Sequence, residues 1–544
     1  MSKVLISEKR KQQDFNSREM SFSSKNGFSI CYSDGVEILD SEDGFFVFQG
    51  FISNKDSLKT SLDLEADGNA VIFRELVESE VLNVLDSLDG CFNAFVVDND
   101  GLKVFRDLFG SKPLYFSRKN GLVLCSKISP ILDLNPEFRK VNEDVAIDYL
   151  GKGLVDHRRE TFFENINRVK PRENFRYDGD SITITEGDYA LSEGKDLREL
   201  VKEKIDCLKP DNKDSYCPTS GGIDSAITSH YLDEAENIHL TFDAGTKDDE
   251  YIESVSKYND LDLEKISVSN KEIIEELKNS LEHQEEPTAF PSLPAQSILY
   301  KNIDQDSIVI SGAGADELFY GYSWFLPFYL ADKIRQKKFL ETIKAIVKFR
   351  RELDADKLYT AKDLILDNGV TLCKDSSELI NGEVSSRELN NLEQAKKEHI
   401  ESFYLPHILR SIYKNSERYG IDVKPVYLSK ELFNLSQDQE PDENFHKGLT
   451  KYSLRSAFEE ELPEKLMYRR EKTGFVDPKS NLYSKKVREE FERIFNSESF
   501  LDRDIIKSED IRDYFELDML PYSLAYRFYN YEIWMREFIE GSVE

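Results

Sequence analysis

Cysteine is scarce: six residues in 544, Cys31, Cys91, Cys125, Cys207, Cys217 and Cys373, with no CxxC pair among them. That usage excludes a zinc ribbon and a disulfide-stapled scaffold, and reads as small buried hydrophobes in a reducing compartment. The seven histidines do not cluster either. No window approaches the roughly 18 uninterrupted apolar residues of a membrane span, and the opening "MSKVLISEKRKQQDF" has no signal core. A soluble, cytoplasmic protein without a membrane partner is therefore expected. Basic charge is also short, at 72 Lys and Arg against 104 Asp and Glu, for a net charge of -32. Such a field repels phosphodiester backbones, so a nucleic-acid partner is disfavoured. There is no GxxxxGK[ST] spacing, which excludes a Walker phosphate loop. Internal repeats and low-complexity tracts are missing as well.

Large apolar side chains are plentiful, with 35 Phe and 26 Tyr, which is a globular composition. At about 100–200 residues per domain the chain is too long for one core. Its first third reads as short aromatic and β-branched strands, "FFVFQGF" (45–51), "CFNAFVVD" (91–98), "LKVFRD" (102–107) and "LVLCSK" (122–127). Between the first two, "AVIFRELVESEVLNVLDSL" (70–88) has helical apolar spacing. An α+β domain over residues 1–195 is expected. From 196 strands and helices alternate: strands "SYCPTS" (215–220), "IHLTFDA" (238–244), "EKISVS" (264–269) and "SIVISG" (307–312), with helices between. That order predicts an α/β domain with a parallel sheet, followed after 323 by a helical C-terminal part.

Three segments carry candidate chemistry. "CPTSGGIDSA" (217–226) ends a predicted strand and opens a helix. Gly221 and Gly222 allow a tight turn of converging N–H groups, and the helix N-terminus favours an anion. Asp224 would repel a bare phosphate, and Mg²⁺ between carboxylate and phosphate resolves that conflict. "SIVISGAGADELFYGY" (307–322) repeats the pattern, a strand ending in a Gly-rich turn with Asp316 and Glu317. Taken alone, either segment also fits a capped helix start. "LPEKLMYRREKTGFVDP" (462–478) sets Arg469, Arg470 and Lys472 in an acidic chain, where fixed cations would suit a developing anion. By itself this third segment also fits a solvated basic turn.

In that order the three segments resemble the asparagine synthetase family of ATP pyrophosphatases. "GFISN" (50–54), "LDGCFNAFVVDNDGLKVFRDLFGSKPLYFS" (88–117), "LCSKI" (124–128) and "TFFENINRVKP" (161–171) resemble the class II glutamine amidotransferase domain that accompanies it. The resemblance implies an amidotransferase-like β-sandwich with helices over 1–195 and an ATP-binding synthetase domain over 196–544. It implies ATP and Mg²⁺ as cofactors, with adenylation of a carboxylate, release of pyrophosphate, and attack by an amine. Carried over position by position, Ser220, Gly221, Gly222 and Ser225 would hold pyrophosphate, and Asp224 and Asp316 the metal. Thr219, Ala244, Ser311 and Gly312 would line the nucleotide site, and Lys472 would stabilise the reacting centre. Glu250 matches an acidic family position that a helix N-terminus would favour in any case. Dimers are common in the family, so a homodimer is compatible with the resemblance.

The departures point away from glutamine use. A class II amidotransferase needs a Cys exposed by removal of Met1, and this chain has Ser2. "ADGNAV" (66–71) stands where a glutamine-binding acidic segment belongs. Ala313 replaces an acid common in glutamine-dependent asparagine synthetases, and "YGIDVKPVYLS" (419–429) is a weakened family segment. β-Lactam synthetases and lasso peptide cyclases share such losses. The expected activity is ATP-dependent amide formation between small-molecule or peptide carboxylate and amine substrates, without glutaminase. An asparagine synthetase, or a non-catalytic scaffold relative, competes with it.

Overall fold

The computed structural model describes residues 3–8, 21–79, 84–186, 195–210, 213–232, 234–242, 248–366, 370, 376–385, 388–470 and 484–541. The N-terminal part is two six-stranded antiparallel sheets packed face to face. Alternation along Gly44–Ile52 explains the layering. Phe45 and Val47 turn into the sandwich with Ile6, Ile30, Leu124 and Phe175. Phe46 and Phe48 turn the other way, onto Ile72, Phe73 and Leu76 of the helix Asn69–Glu78. A period of two thus serves two cores, one for each face of the sheet. The helical spacing from residue 70 is realised as Asn69–Glu78 and a short turn Val84–Ser87.

The second part opens with the helix Leu197–Leu208, whose Asp196 side chain accepts from the Arg198 and Glu199 N–H groups. Its five strands are all parallel, in the spatial order Leu263–Val268, Glu236–Phe242, Ser215–Pro218, Ile308–Ser311 and Asp422–Pro425. Ile308, Val309 and Ile310 are all buried, as expected for a strand covered on both faces. The fifth strand is an addition to the sequence reading. "DVKP" lacks an apolar run, and its Pro425 stands at the strand's end on the sheet edge, where a missing N–H is tolerated. Strand order reverses between Ser215–Pro218 and Ile308–Ser311, so the turns after these two strands face one crevice. Helices dominate from Leu326 to the end. Among the described residues no helix is long and apolar enough to cross a membrane. Cys31, Cys91, Cys125 and Cys217 are buried free thiols; Cys207 is exposed, against the expectation of uniform burial.

The outer face of the first sheet, with Leu5, Tyr115 and Cys125, shares one apolar core with Ile227, Val309 and Trp534 of the second part. Ion pairs cross the same junction. Asp156 accepts from Arg410 Nε at 2.9 Å and pairs with Arg168 at 3.2 Å. Arg168 also reaches Glu286 at 2.7 Å. Glu285 receives the Ile128 and Ser129 N–H groups and the Lys414 ammonium, the last at 2.6 Å. Burial alone would raise the Glu285 carboxyl, but Lys414, Lys127 and the hydrogen bonds outweigh it and hold it at about 2. A depressed carboxyl stabilises the fold above its unfolded value near 4.5, and that stability is lost as pH falls toward 2. Denaturant titrations of the wild type at stepped pH should therefore show a loss across that window. Glu285→Gln should remove part of the slope; an unchanged slope would place the acid sensitivity elsewhere.

Candidate active site

Both strand-end turns converge as their glycines require. A Cβ on Gly221 would lie 2.6 Å from Arg469 Nη1 and 2.8 Å from Tyr251 Cβ. One on Gly312 would lie 3.0 Å from Asp224 Cβ, and one on Gly321 1.7 Å from Asp316 Oδ1. Small residues here let the two turns touch. Within the first turn Ser225 Oγ accepts from the Ser220 N–H at 3.0 Å and contacts Ser220 Oγ at 3.1 Å. The Gly222 N–H donates to Ser220 Oγ at 3.2 Å, and Gly222 precedes the helix Ile223–His230. The loop is thus preorganised at a helix N-terminus, where a phosphate is stabilised.

Two acids and one cation define the centre. Lys451 Nζ lies 2.6 and 2.8 Å from the two Asp224 oxygens and 2.8 Å from Asp316 Oδ1. Its side chain is almost fully buried, and the backbone is left-handed at φ 51°. Burial alone would lower the Lys451 ammonium, but the two carboxylates reverse that and raise it. Arg469 donates to the Gly221 carbonyl and to Asp248, with its guanidinium 4.1 Å from the Tyr251 ring centroid. A cavity of about 370 Å³ opens on this centre, lined by Ser220, Gly222, Asp224, Asp316, Lys451, Arg455, Arg469 and Arg470 at one end.

The structure brings Ser220, Gly221, Gly222, Asp224, Ser225, Gly312 and Asp316 together. Thr219 is buried beside them, but its hydroxyl turns away, onto the Cys217 carbonyl and Asn237 at 3.0 Å each. The Ser311 hydroxyl is buried with no hydrogen-bond partner among the described residues. Glu250 is exposed and pairs with Lys465. Ala244 and Lys472 lie outside the described residues, as do Ser2 and Cys373. Lys451 was not singled out from sequence. It sits in "GLTKYSLR", more than a hundred residues after Asp316, and its only local signal is a lysine among turn formers.

Residues 216–537 match the family model Asparagine synthase. The chain belongs to the asparagine synthase family. Membership makes it an ATP-dependent carbon–nitrogen ligase, and residues 38–189 match a glutamine amidotransferase domain. Asparagine synthetase [glutamine-hydrolyzing] 1 of Bacillus subtilis is 26% identical over 522 residues, 85% of this chain and 81% of that protein. The microcin J25-processing protein McjC of Escherichia coli is 25% identical over 262 residues, 46% of this family member and half of McjC.

Asp224 and Asp316 are the carboxylate donors that would hold a magnesium ion. Both carboxylates face the Lys451 ammonium, and among the described residues no group of three or more acids, histidines and cysteines forms a closed metal cage. Magnesium is held in that way, by one or two carboxylates with waters and substrate phosphates completing its octahedron.

Proposed function

We propose that this ligase adenylates a carboxylate with ATP, releases pyrophosphate, and forms an amide with an amine, without glutaminase activity of its own. The observation that carries the reading is the meeting of Asp224 and Asp316, from two different strand ends, on Lys451 beside a preorganised phosphate loop. Magnesium bound to Asp224 and Asp316 would neutralise phosphate charge and orient the chain of phosphates. The Gly222 end of the helix and the serine hydroxyls would receive the pyrophosphate portion. Lys451, Arg469 and Arg470 would balance its charge as the bond to the α-phosphorus breaks. The free Ser311 hydroxyl is a donor available to the nucleotide.

Loss of glutamine hydrolysis is supported by Ser2, which stands where a class II amidotransferase needs its nucleophilic Cys. A cavity of about 360 Å³ lies at the junction, with Asp34, Gln49, Gly50 and Ser126 of the first domain and Asp306, Tyr413, Lys414 and Asp422 of the second in its wall. The residues of "ADGNAV" do not line it. Asp67 pairs with Lys55 and Lys59 on the surface, and Asn69 bonds Glu37 and the Ile52 N–H. A second reading, asparagine synthesis, rests on the similarity to the glutamine-hydrolyzing relatives. The purified protein is expected to catalyse carboxylate-dependent ATP–pyrophosphate exchange and to release no glutamate from glutamine. Glutamate release would refute the loss. Aspartate-dependent exchange followed by asparagine formation would favour the second reading.

A further inference from the structure

We propose that the acyl substrate of this site is a carboxylate on an uncharged scaffold with an apolar or aromatic face, and not a free amino acid such as aspartate. The inference rests on the ligase reading and concerns the other end of the same cavity.

That end is walled by Phe290, Ser292, Leu293, Gln296, Tyr322, Tyr404, Ile408 and Ser411. The wall comes from two helices and from the turns that carry Phe290, Ser292 and Tyr322. The helix Tyr404–Arg418 presents Tyr404, Ile408 and Ser411, which lie on one face at spacings of four and three. The helix Leu293–Lys301 presents Leu293 and Gln296. The rings form one surface: Phe290 lies 5.0 Å from Tyr404, and Tyr404 5.2 Å from Tyr322, both edge to face. Stacked partners hold them from behind, His407 on Phe290 at 4.1 Å, His399 on Tyr404 at 4.4 Å and Trp324 on Tyr322 at 4.3 Å.

None of these eight wall residues is charged. Among the described residues, the charged side chains lining the cavity are Asp224, Asp316, Lys451, Arg455, Arg469 and Arg470, and the first three meet beside the phosphate loop. The cations on the wall's own helix are committed elsewhere, Arg410 to Asp156, Lys414 to Glu285 and Arg418 to Glu276. His407 is kept neutral, because burial pushes its ring well below the usual value. Glu317 next to the wall is buried and accepts from the Tyr322 hydroxyl at 2.7 Å. Free aspartate would bring an α-ammonium and an α-carboxylate into this space, and charges buried without partners are strongly disfavoured. A carboxylate whose neighbours are uncharged meets no such cost, and an apolar face gains contact with the rings.

The test is ATP–pyrophosphate exchange by the full-length protein with three acids: L-aspartate, N-acetyl-L-aspartic acid α-amide, and 3-phenylpropanoate. The second keeps the β-carboxyl of aspartate and removes both flanking charges. Exchange with either uncharged acid should exceed that with aspartate by at least about tenfold in kcat/KM, one decade being 1.4 kcal/mol. A larger rate with the blocked aspartyl compound would assign a peptide carboxyl; a larger rate with phenylpropanoate, a small organic acid. Equal or faster exchange with free aspartate would overturn the inference and leave the ligase reading standing. Exchange with none of the three, while Mg-ATP still binds by calorimetry, would withdraw both. Ile408→Arg places a cation in the wall and should shift the ratio toward aspartate through KM. A folded Ile408→Arg protein with an unchanged ratio would show that the acyl group lies elsewhere.

Discussion

Asp224→Asn and Asp316→Asn, each alone, are expected to lower ATP–pyrophosphate exchange by about 10²–10³-fold, the scale for losing one preorganised electrostatic group. The fold should survive both changes. Each acid stands at a turn, and Lys451 keeps one carboxylate partner in either variant. The thermal midpoint without nucleotide should therefore move little, while the rise in midpoint on adding Mg-ATP should shrink. That rise reports ligand binding by mass action, so it separates lost binding from lost chemistry. Lys451→Met should behave differently. It leaves two partly buried carboxylates facing each other, so the ligand-free protein should lose stability as well as turnover. Unchanged exchange in Asp316→Asn would remove the second turn from the site.

Much of this centre was legible in the sequence because strand-end turns are local. Glycines, an acid and a helix start lie within ten residues of one another in "CPTSGGIDSA" and again in "SGAGADELFYGY", so periodicity and turn chemistry locate both. The parallel sheet was legible for the same reason, through apolar runs such as "SIVISG". What escaped was non-local. Lys451 reaches the acids only because the chain returns after a long helical excursion, and nothing in its neighbours marks it. The Asp422–Pro425 strand escaped because an edge strand with Asp, Lys and Pro has no apolar run to betray it. The uncharged cavity wall is assembled from Phe290, Tyr322, Tyr404 and Ile408, whose separations in sequence reach more than a hundred residues. Each looks like an ordinary core residue until the helices are packed.

Asp156→Asn should produce the largest loss of stability of any single change considered, about 3–5 kcal/mol, because it strips the counter-charge from buried Arg410. Asparagine is the informative replacement. Asp156 has φ 60°, a left-handed conformation that asparagine tolerates and alanine does not, so backbone strain is not added to the electrostatic loss. In the wild type burial alone would raise the Asp156 carboxyl, but Arg410 and Arg168 outweigh it and hold it far below the usual range. Arg410 also donates to the Pro287 carbonyl at 3.2 Å, two residues beyond Glu285 and three before Phe290. One guanidinium thus ties the first domain to the helix that presents Tyr404, Ile408 and Ser411 and to the segment that presents Phe290. Chemical denaturation should show the stability loss. Ligase turnover should fall at temperatures where the variant is still folded, although Asp156 is not in the cavity wall. The paired replacement Asp156→Asn with Arg410→Met removes the stranded charge and should recover most of the stability. If stability returns and turnover does not, the first domain acts on the site by positioning that helix. If both return together, the junction contributes through stability alone.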